Sequence, residues 1–188
     1  MSEQVLYGTR IPKDYFVALG AGETDSGPGV DPWETGSYDI ALQQAGIENF
    51  NIVKYTSVMP PEATRHAIED VRHLFHHGAV LETIMAQVNG RQGDHLCAGV
   101  GILQVRRKVD GVHIGGFACE YEGNASKDGA IQVLEQSLVG LFNRRYDTAH
   151  YEYFGMETFV QDLVVQKKFA TVLAAICFVT YVFPEVTL

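Results

Sequence analysis

The densest group of side chains that could bind a metal is a set of four histidines within twelve residues: His66, His73, His76 and His77. His73 and His77 have the i, i+4 spacing that lets two imidazoles on one helix bind the same ion. No glutamate or cysteine completes a ligand pattern, and the HExxH arrangement is absent. We therefore interpret residues 62–77 as a polar surface segment and expect no metal.

Two carboxylates, Glu120 and Glu122, lie in a predicted strand. A carboxyl group in a partly desolvated place could act as a general acid near neutral pH. Because side chains alternate along a strand, we expect Glu120 and Glu122 to face opposite sides of the sheet, one toward a core or pocket and the other toward solvent. By composition alone, either could be an ordinary surface glutamate.

The hydroxyl pair Thr56–Ser57 ends another predicted strand, just before Pro60 and Pro61. Taken by itself, the pair is most simply a strand end before a proline turn, because short motifs match by chance. A GxSxG motif is absent, so a serine hydrolase is not indicated. The glycine-rich residues 20–32 lack both the Walker lysine and GxGxxG spacing, so turn chemistry explains them better than phosphate binding.

The composition is that of one ordinary globular domain covering residues 1–188. Apolar residues make up 46% of the chain and charged residues 20%. The net charge of −9 makes the chain a poor general binder of nucleic acid, which requires a surplus of cations. An acidic surface suits a cationic small molecule better, although acidity also serves solubility.

The three cysteines, Cys97, Cys119 and Cys177, are an odd number without CxxC spacing, so we expect reduced thiols. The N-terminal residues show neither a basic nor an apolar targeting region. The longest apolar run, residues 169–183, has 15 residues, fewer than the roughly 18–20 that span a membrane. Its β-branched and aromatic residues favour a buried strand. We expect a cytoplasmic protein without a membrane partner.

The patterns at the beginning of the chain predict a strand at residues 15–19 and a long loop at residues 20–32. Apolar residues with helical spacing predict a short helix at residues 37–46, with Ser37 or Thr35 as its cap and Gly46 at its end. A strand is predicted at residues 50–55, and we expect it to continue toward Met59.

Three strands are predicted next, at residues 78–88, 97–108 and 112–122. The Asp110–Gly111 pair between the last two is a strong hairpin signal. Ser126 is the predicted cap of a helix with an apolar face, and residues 147–183 resemble further strands. This order of elements predicts an α+β fold with sheets packed face to face and helices outside.

Several stretches together resemble one known family. Residues 47–60, IENFNIVKYTSVMP, resemble the self-cleavage region of pyruvoyl-dependent arginine decarboxylases. Further stretches agree in order and rough spacing: YDIAL at 38–42, AGI at 45–47, GAVLE at 78–82 and GGFACEYEG at 115–123. The resemblance extends from about Tyr7 to the apolar C-terminal strand. The bacterial branch is most similar, through YGTR at 7–10 and HGAVLE at 77–82.

The resemblance implies that the chain cleaves itself between Thr56 and Ser57. The Ser57 hydroxyl would attack the preceding carbonyl, and elimination from the resulting ester would leave a pyruvoyl group at position 57. The products would be a β chain of residues 1–56 and an α chain of residues 57–188. The pyruvoyl carbonyl would take the place of pyridoxal phosphate as the electron acceptor in decarboxylation, and no metal would be needed.

The resemblance also implies roles for three other residues. Glu120 would donate a proton to the carbon that loses CO₂. Asn51 would lie near the pyruvoyl group, and its spacing of six residues places it on the same face as Ser57 only if the strand stays extended that far.

Asp39 corresponds to the family aspartate that meets the substrate guanidinium. Alternatively, Asp39 simply complements the dipole of its helix. If Asp39 is not the anion, Glu34, Glu23 and Asp25 are the next candidates.

For the whole protein, the resemblance implies a four-layer αββα sandwich with largely antiparallel sheets. It also implies an (αβ)₃ trimer with active sites at subunit interfaces, and leaves a higher assembly open. The implied reaction converts L-arginine to agmatine and CO₂, which consumes a proton, so acid resistance and polyamine supply are both open as its purpose. The alternatives are a pyruvoyl decarboxylase for another basic amino acid, such as histidine, and an unprocessed, non-catalytic trimeric homologue.

Overall fold

A computed structural model describes residues 9–26 and 33–184, except for the side chain of Glu34. Tyr7 and Gly8 of the YGTR stretch and residues 27–32 of the predicted loop lie outside the described residues. The described part is a mixed α+β fold in which strands predominate, as the sequence predicts.

Eleven strands and three α-helices are found in the described residues. The strands are β1 (Ile11–Pro12), β2 (Asp14–Thr24), β3 (Asn51–Lys54), β4 (Val58–Met59), β5 (Thr64–Arg65), β6 (Val80–Arg91), β7 (His95–Arg107), β8 (His113–Gly123), β9 (Tyr151–Val164), β10 (Phe169–Phe178) and β11 (Tyr181–Val182). The helices are α1 (Asp39–Ala45), α2 (Ile68–Val71) and α3 (Lys127–Arg145). A π-helical segment, Trp33–Tyr38, leads into α1, and a 3₁₀ turn, Arg72–Leu74, follows α2.

The strands form two main sheets and one short pair. The five-stranded sheet has the order β3-β6-β10-β2-β5, and the four-stranded sheet has the order β4-β8-β7-β9. The remaining pair joins β1 to β11. Neighbouring strands are antiparallel except in the pairs β3–β6 and β2–β5, which are parallel.

Three apolar clusters stabilise these elements. The first combines residues of both main sheets, including Ile84 and Val172 from the five-stranded sheet and Val100 from the four-stranded sheet. The second joins α1 and α2 to the five-stranded sheet, and the third joins α3 to the four-stranded sheet. Successive residues of β10 alternate between the first two clusters, so both faces of this strand are covered.

The apolar run at residues 169–183 was correctly predicted to contain a buried strand. It contains β10, whose residues after Phe169 are all buried, followed by the short β11. Among the described residues, no helix is long and apolar enough to cross a membrane.

The predicted hairpin and the predicted long helix are confirmed. The turn between β7 and β8 contains Asp110 and Gly111, and Gly111 has a φ of 70°. The Ser126 side chain caps α3 by accepting a hydrogen bond from the Gly129 amide at 3.2 Å.

The loop predicted to begin at Gly20 is wrong for its first residues, because β2 continues to Thr24. Glycine here serves close packing and not a turn. A Cβ atom at Gly20 would lie 2.1 Å from the carbonyl oxygen of Ala41, and one at Gly22 would lie 2.1 Å from that of Ser37. The two glycines therefore let the helical segment of residues 33–45 lie directly on the strand.

The predicted cap of the first helix is also corrected. Ser37 lies inside the helical segment that begins at Trp33, and its buried hydroxyl is hydrogen-bonded to the Thr171 hydroxyl at 2.8 Å. This contact ties the segment to β10. Gly46 ends α1 as predicted, with a φ of 73°.

Replacing Gly20 by alanine should destabilise the protein, because the new methyl group would collide with the backbone of α1. We expect the free energy of unfolding to fall by about 1–3 kcal/mol or more, measured by urea denaturation. Gly140→Ala is the matched control: it adds the same methyl group in α3, where nothing outside the local helix backbone lies within 4 Å, and should be neutral or stabilising by up to about 1 kcal/mol. Equal stability of the two variants would contradict the close packing of α1 on β2.

Candidate active site

Residues 55–57 carry the chain from one main sheet to the other. Strand β3 ends at Lys54 in the five-stranded sheet, and β4 begins at Val58 in the four-stranded sheet. The sequence predicted one strand running on toward Met59, and this prediction is wrong. A crossover replaces the strand because the two halves pair with different partners, β6 and β8.

The chain is anchored on both sides of the Thr56–Ser57 peptide. Before it, the Tyr55 amide donates to the Thr83 carbonyl of β6 at 2.6 Å. After it, the Ser57 carbonyl accepts a hydrogen bond from the Ala118 amide of β8 at 3.1 Å. Thr56 is exposed and Ser57 is partly buried. The peptide therefore spans the two sheets without belonging to either ladder.

The pairing of β4 with β8 makes Ser57 and Glu120 diagonal neighbours by register. Val58 and Met59 pair with Phe117 and Gly116, so the register continues to Ser57 opposite Ala118. Glu120 is two residues beyond Ala118 on the same strand. Diagonal neighbours of this kind lie about 7–8 Å apart, within reach of a glutamate side chain acting on a small group at position 57.

Glu120 and Glu122 face the same side of β8, so the prediction of opposite sides is wrong. Residues two apart in a strand share a face, because side chains alternate with a period of two. Ala118, on that same face, belongs to the cluster between the sheets, whereas Cys119 belongs to the cluster under α3. The Glu122 carboxylate reaches across to β6 and accepts a hydrogen bond from the Gln87 amide at 2.8 Å.

The surroundings of Glu120 favour its protonated form. Desolvation raises the pKa of Glu120, and the negative charge of Glu122 raises it further, while the positive charge of Lys54 opposes the shift. Glu120 is nevertheless exposed to solvent. A carboxyl group with a raised pKa beside an accessible serine is suited to general acid catalysis. Sequence analysis identified Glu120 but missed the influence of Glu122 and Lys54.

Asn51 was expected to share a strand face with Ser57 only if the strand stayed extended between them. Within this chain it does not, because β3 ends at Lys54. Asn51 begins β3, at the end away from the crossover. Its side-chain amide donates to the Gly78 carbonyl at 2.8 Å, and its backbone amide donates to the Ala79 carbonyl. The structure therefore holds Asn51 against the residues before β6.

Asp39 is also separated from Ser57 and Glu120. It is the first residue of α1, exposed, and it accepts a hydrogen bond from the Gln43 side chain at 3.0 Å. Helix α1 packs on the face of the five-stranded sheet that points away from the other main sheet. Of the other acidic candidates, Glu23 accepts from the Gln166 and Lys167 amides and Asp25 from the Lys168 amide. The side chain of Glu34 lies outside the described residues.

The histidine-rich segment contacts parts of the fold that are distant in the sequence. His66 pairs with Asp14 at 2.9 Å, and His77 lies 3.1 Å from the Asn49 side-chain oxygen. In residues 9–26 and 33–184, no group of three or more His, Cys, Asp or Glu side chains is arranged to hold a metal ion. The three cysteines are free, as predicted, and all three are buried.

One acidic residue next to the crossover was not predicted from the sequence. Glu82 of β6 is buried, and its carboxylate contacts the Tyr55 hydroxyl and the Arg10 guanidinium. The available signal was its place in the apolar run GAVLETIMAQV, because a carboxylate buried in a strand requires partners.

Comparisons with known proteins agree with the resemblance found in the sequence. The family described as pyruvoyl-dependent arginine decarboxylase (PvlArgDC) matches residues 14–183. The chain is 37% identical over 190 residues to pyruvoyl-dependent arginine decarboxylase AaxB of Chlamydia trachomatis serovar L2, a match that covers 93% of this chain and 94% of that protein. The AaxB protein of Chlamydia muridarum is equally similar, at 37% identity with the same coverage.

A pyruvoyl-dependent arginine decarboxylase of Methanopyrus kandleri is 30% identical over 109 residues, which cover 54% of this chain and 65% of that protein. The longer matches are to the Chlamydia proteins, in keeping with the expected bacterial branch. The family match includes the crossover and β8. This chain therefore belongs to the pyruvoyl-dependent arginine decarboxylase family.

Proposed function

We propose that this protein converts L-arginine to agmatine and CO₂ after cleaving itself between Thr56 and Ser57. The observation that carries the proposal is the position of this peptide, exposed in a crossover and beside the strand that bears Glu120. The substrate follows from family membership, since the relatives are named as arginine decarboxylases. The net charge of −9 is compatible with a cationic substrate.

Self-cleavage begins with the Ser57 hydroxyl, which attacks the carbonyl carbon of Thr56. The amide C–N bond breaks, the Ser57 nitrogen takes up a proton, and an ester joins the two residues. Loss of the Ser57 Cα proton then expels Thr56 as a free carboxylate and leaves a dehydroalanine. Hydrolysis by one water replaces the dehydroalanine nitrogen with oxygen and releases ammonia. The new α chain then begins with a pyruvoyl group.

The residues around Ser57 fit such a group. Ser57 is partly buried beside β8, and its carbonyl oxygen already accepts a hydrogen bond from Ala118. The group supplies an electrophilic carbonyl that accepts the electron pair left on the substrate when CO₂ departs. Glu120 then delivers its proton to the substrate carbon that has lost CO₂. The raised pKa of Glu120 keeps that proton available at pH values where an ordinary glutamate is ionised.

The substrate guanidinium is bound by Asp39, supplied by a neighbouring copy of the chain in an (αβ)₃ trimer. Within one chain, Asp39 lies on the outer side of the five-stranded sheet and Glu120 on the inner side of the four-stranded sheet. Three apolar side chains near the crossover, Val53, Val58 and Val80, are 44–59% exposed, which supports their burial against another copy. In the same assembly, Asn51, at the edge of the five-stranded sheet, lies in the active site.

The proposed assembly is built from protomers with a four-layer αββα sandwich. Its support is the set of three apolar clusters, one between the main sheets and one under the helices of each sheet. The three buried free thiols support the cytoplasmic location expected from the sequence.

Ser57→Ala removes the attacking hydroxyl, so the chain should fold but remain whole and inactive. The wild-type protein should separate on a denaturing gel into fragments of residues 1–56 and 57–188, with intact mass confirming the pyruvoyl end. Ser137→Ala is the matched control, because it removes a hydroxyl from an exposed position of α3. Two fragments from Ser57→Ala would show that cleavage occurs elsewhere, and a single wild-type band would favour an unprocessed homologue.

Glu122→Gln should shift the alkaline limb of the kcat/KM profile for arginine to lower pH. The substitution removes a negative charge that favours protonated Glu120, so the pKa of Glu120 falls and the acid is lost at a lower pH. The glutamine keeps an acceptor for the Gln87 amide. Glu120→Gln serves as the reference: it should lower the rate by about 10²–10⁴ at pH values where Glu120 is protonated in the wild type, and it should abolish the alkaline limb that Glu120 produces. An unshifted profile for Glu122→Gln would contradict the proposed role of Glu120.

Asp39→Asn should raise KM for arginine strongly while leaving self-cleavage unchanged. The contact is far from the reacting carbon, so it contributes equally to substrate and transition-state binding. Asp128→Asn is the matched control, since Asp128 is an exposed acidic residue in the first turn of α3. Steady-state kinetics on the processed variants decide the matter: the same KM in both would leave Asp39 as a helix-dipole residue.

A further inference from the structure

Glu82 carries a buried carboxylate whose two oxygens have different partners. Only 4% of the residue is exposed, in the part of β6 that pairs with β3. Oε1 contacts the Arg10 guanidinium, and Oε2 accepts a hydrogen bond from the Tyr55 hydroxyl. Burying a carboxylate is costly unless it is paired in this way, so both contacts are needed where they stand.

Both partners of Glu82 lie on the other side of the cleavage point. Arg10 and Tyr55 belong to residues 1–56, whereas Glu82 belongs to residues 57–188. Arg10 and Glu82 also end the two stretches, YGTR and HGAVLE, that resemble the bacterial branch most closely. The fold brings Arg10 and Glu82 together at Tyr55, the residue that precedes Thr56.

Tyr55 is fixed in three ways immediately before the cleavage peptide. Its amide donates to the Thr83 carbonyl at 2.6 Å, its ring centroid lies 5.8 Å from that of Phe178, and its hydroxyl is held by Glu82. Arg10 is itself fixed, because its guanidinium stacks over the Tyr181 ring at 5.1 Å. Burial raises the pKa of Tyr181 to about 12, with the neighbouring Tyr55 as a further cause.

At the other end of the crossover, the Ala118 amide donates to the Ser57 carbonyl, and β4 then pairs with β8. An N-to-O acyl shift requires the Ser57 hydroxyl to be held against the carbonyl carbon of Thr56. Misplacement of the reacting atoms by about 1 Å lowers the rate of such a reaction about 100-fold. The contacts that hold Tyr55 therefore set the position of the Thr56 carbonyl carbon relative to the Ser57 hydroxyl.

We propose that Glu82 is a positioning residue for self-cleavage, acting through the Tyr55 hydroxyl to orient the Thr56–Ser57 peptide between the two sheets. The proposal rests on the self-cleavage proposed above. Glu82 does not touch the reacting bond, and its effect is transmitted by the ring and backbone of Tyr55. Arg10 stabilises the buried charge of Glu82 by contacting Oε1, the oxygen that Tyr55 does not contact.

The test is a cleavage time course. Full-length chains are labelled by cell-free synthesis, chased, and separated on a denaturing gel to give a rate constant. Tyr55→Phe should slow cleavage by about 10-fold or more, because it removes only the hydroxyl that Glu82 holds. Glu82→Ala should slow cleavage to a similar extent. Glu82→Gln retains an acceptor for that hydroxyl and should restore a rate closer to that of the wild type.

The double variant Tyr55→Phe, Glu82→Ala separates positioning from general destabilisation. If Glu82 acts through Tyr55, the double variant should cleave no more slowly than either single variant, whereas independent structural losses would multiply. Tyr15→Phe is the matched control, since Tyr15 packs on the same Phe178 ring from β2, and it should cleave at the wild-type rate.

The outcomes distinguish this inference from the proposed function. A wild-type chain that never cleaves would refute self-cleavage itself. Wild-type cleavage that is blocked by Ser57→Ala but unaffected by Tyr55→Phe would refute only the role of Glu82. Equal slowing by Tyr15→Phe and Tyr55→Phe would also refute it, because loss of any hydroxyl near Phe178 would then suffice.

Discussion

The burial of apolar side chains between the two main sheets is the constraint on which the candidate site depends. Ile84 and Val172 of one sheet and Val100 of the other belong to a single apolar cluster. A chain that contributes strands to both sheets must leave one ladder to enter the other. Residues 55–57 make this passage, and the exposed Thr56 is left outside regular pairing. A reactive peptide can be held there without disrupting either sheet.

Charge around the crossover is divided between buried and accessible carboxylates. Glu82 is buried and carries a cation and a hydroxyl as partners, as a buried charge requires. Glu120 is exposed, and desolvation together with the negative charge of Glu122 raises its pKa. The first arrangement is suited to fixing a segment of chain and the second to holding a transferable proton. Similar residues thus serve different purposes according to their surroundings.

Small residues allow the helical layer to approach the five-stranded sheet. Gly20 and Gly22 of β2 face the carbonyls of Ala41 and Ser37 at a separation that no side chain could occupy. The same contact fixes the start of α1, and with it Asp39, on the outer side of that sheet. The position of the proposed guanidinium-binding residue is therefore a consequence of two glycines in a strand.

The sequence by itself determined most elements and the family. The strand-like stretches at residues 78–88, 97–108 and 112–122 predicted β6, β7 and β8 closely, and the spacing of capping and apolar residues predicted α3, because these signals are local. The ordered stretches around Thr56–Ser57 and Glu120 identified the family before any geometry was known.

Only the tertiary structure decided that β2 continues through Gly20, because the carbonyls that exclude a side chain there come from residues about twenty positions away. Likewise, the break between β3 and β4, the contacts of Glu82 with Arg10 and Tyr55, and the separation of Asp39 from Glu120 depend on which strands pair and which faces are buried. Pairing between distant segments leaves no periodic signal in either segment alone, so these features required the fold.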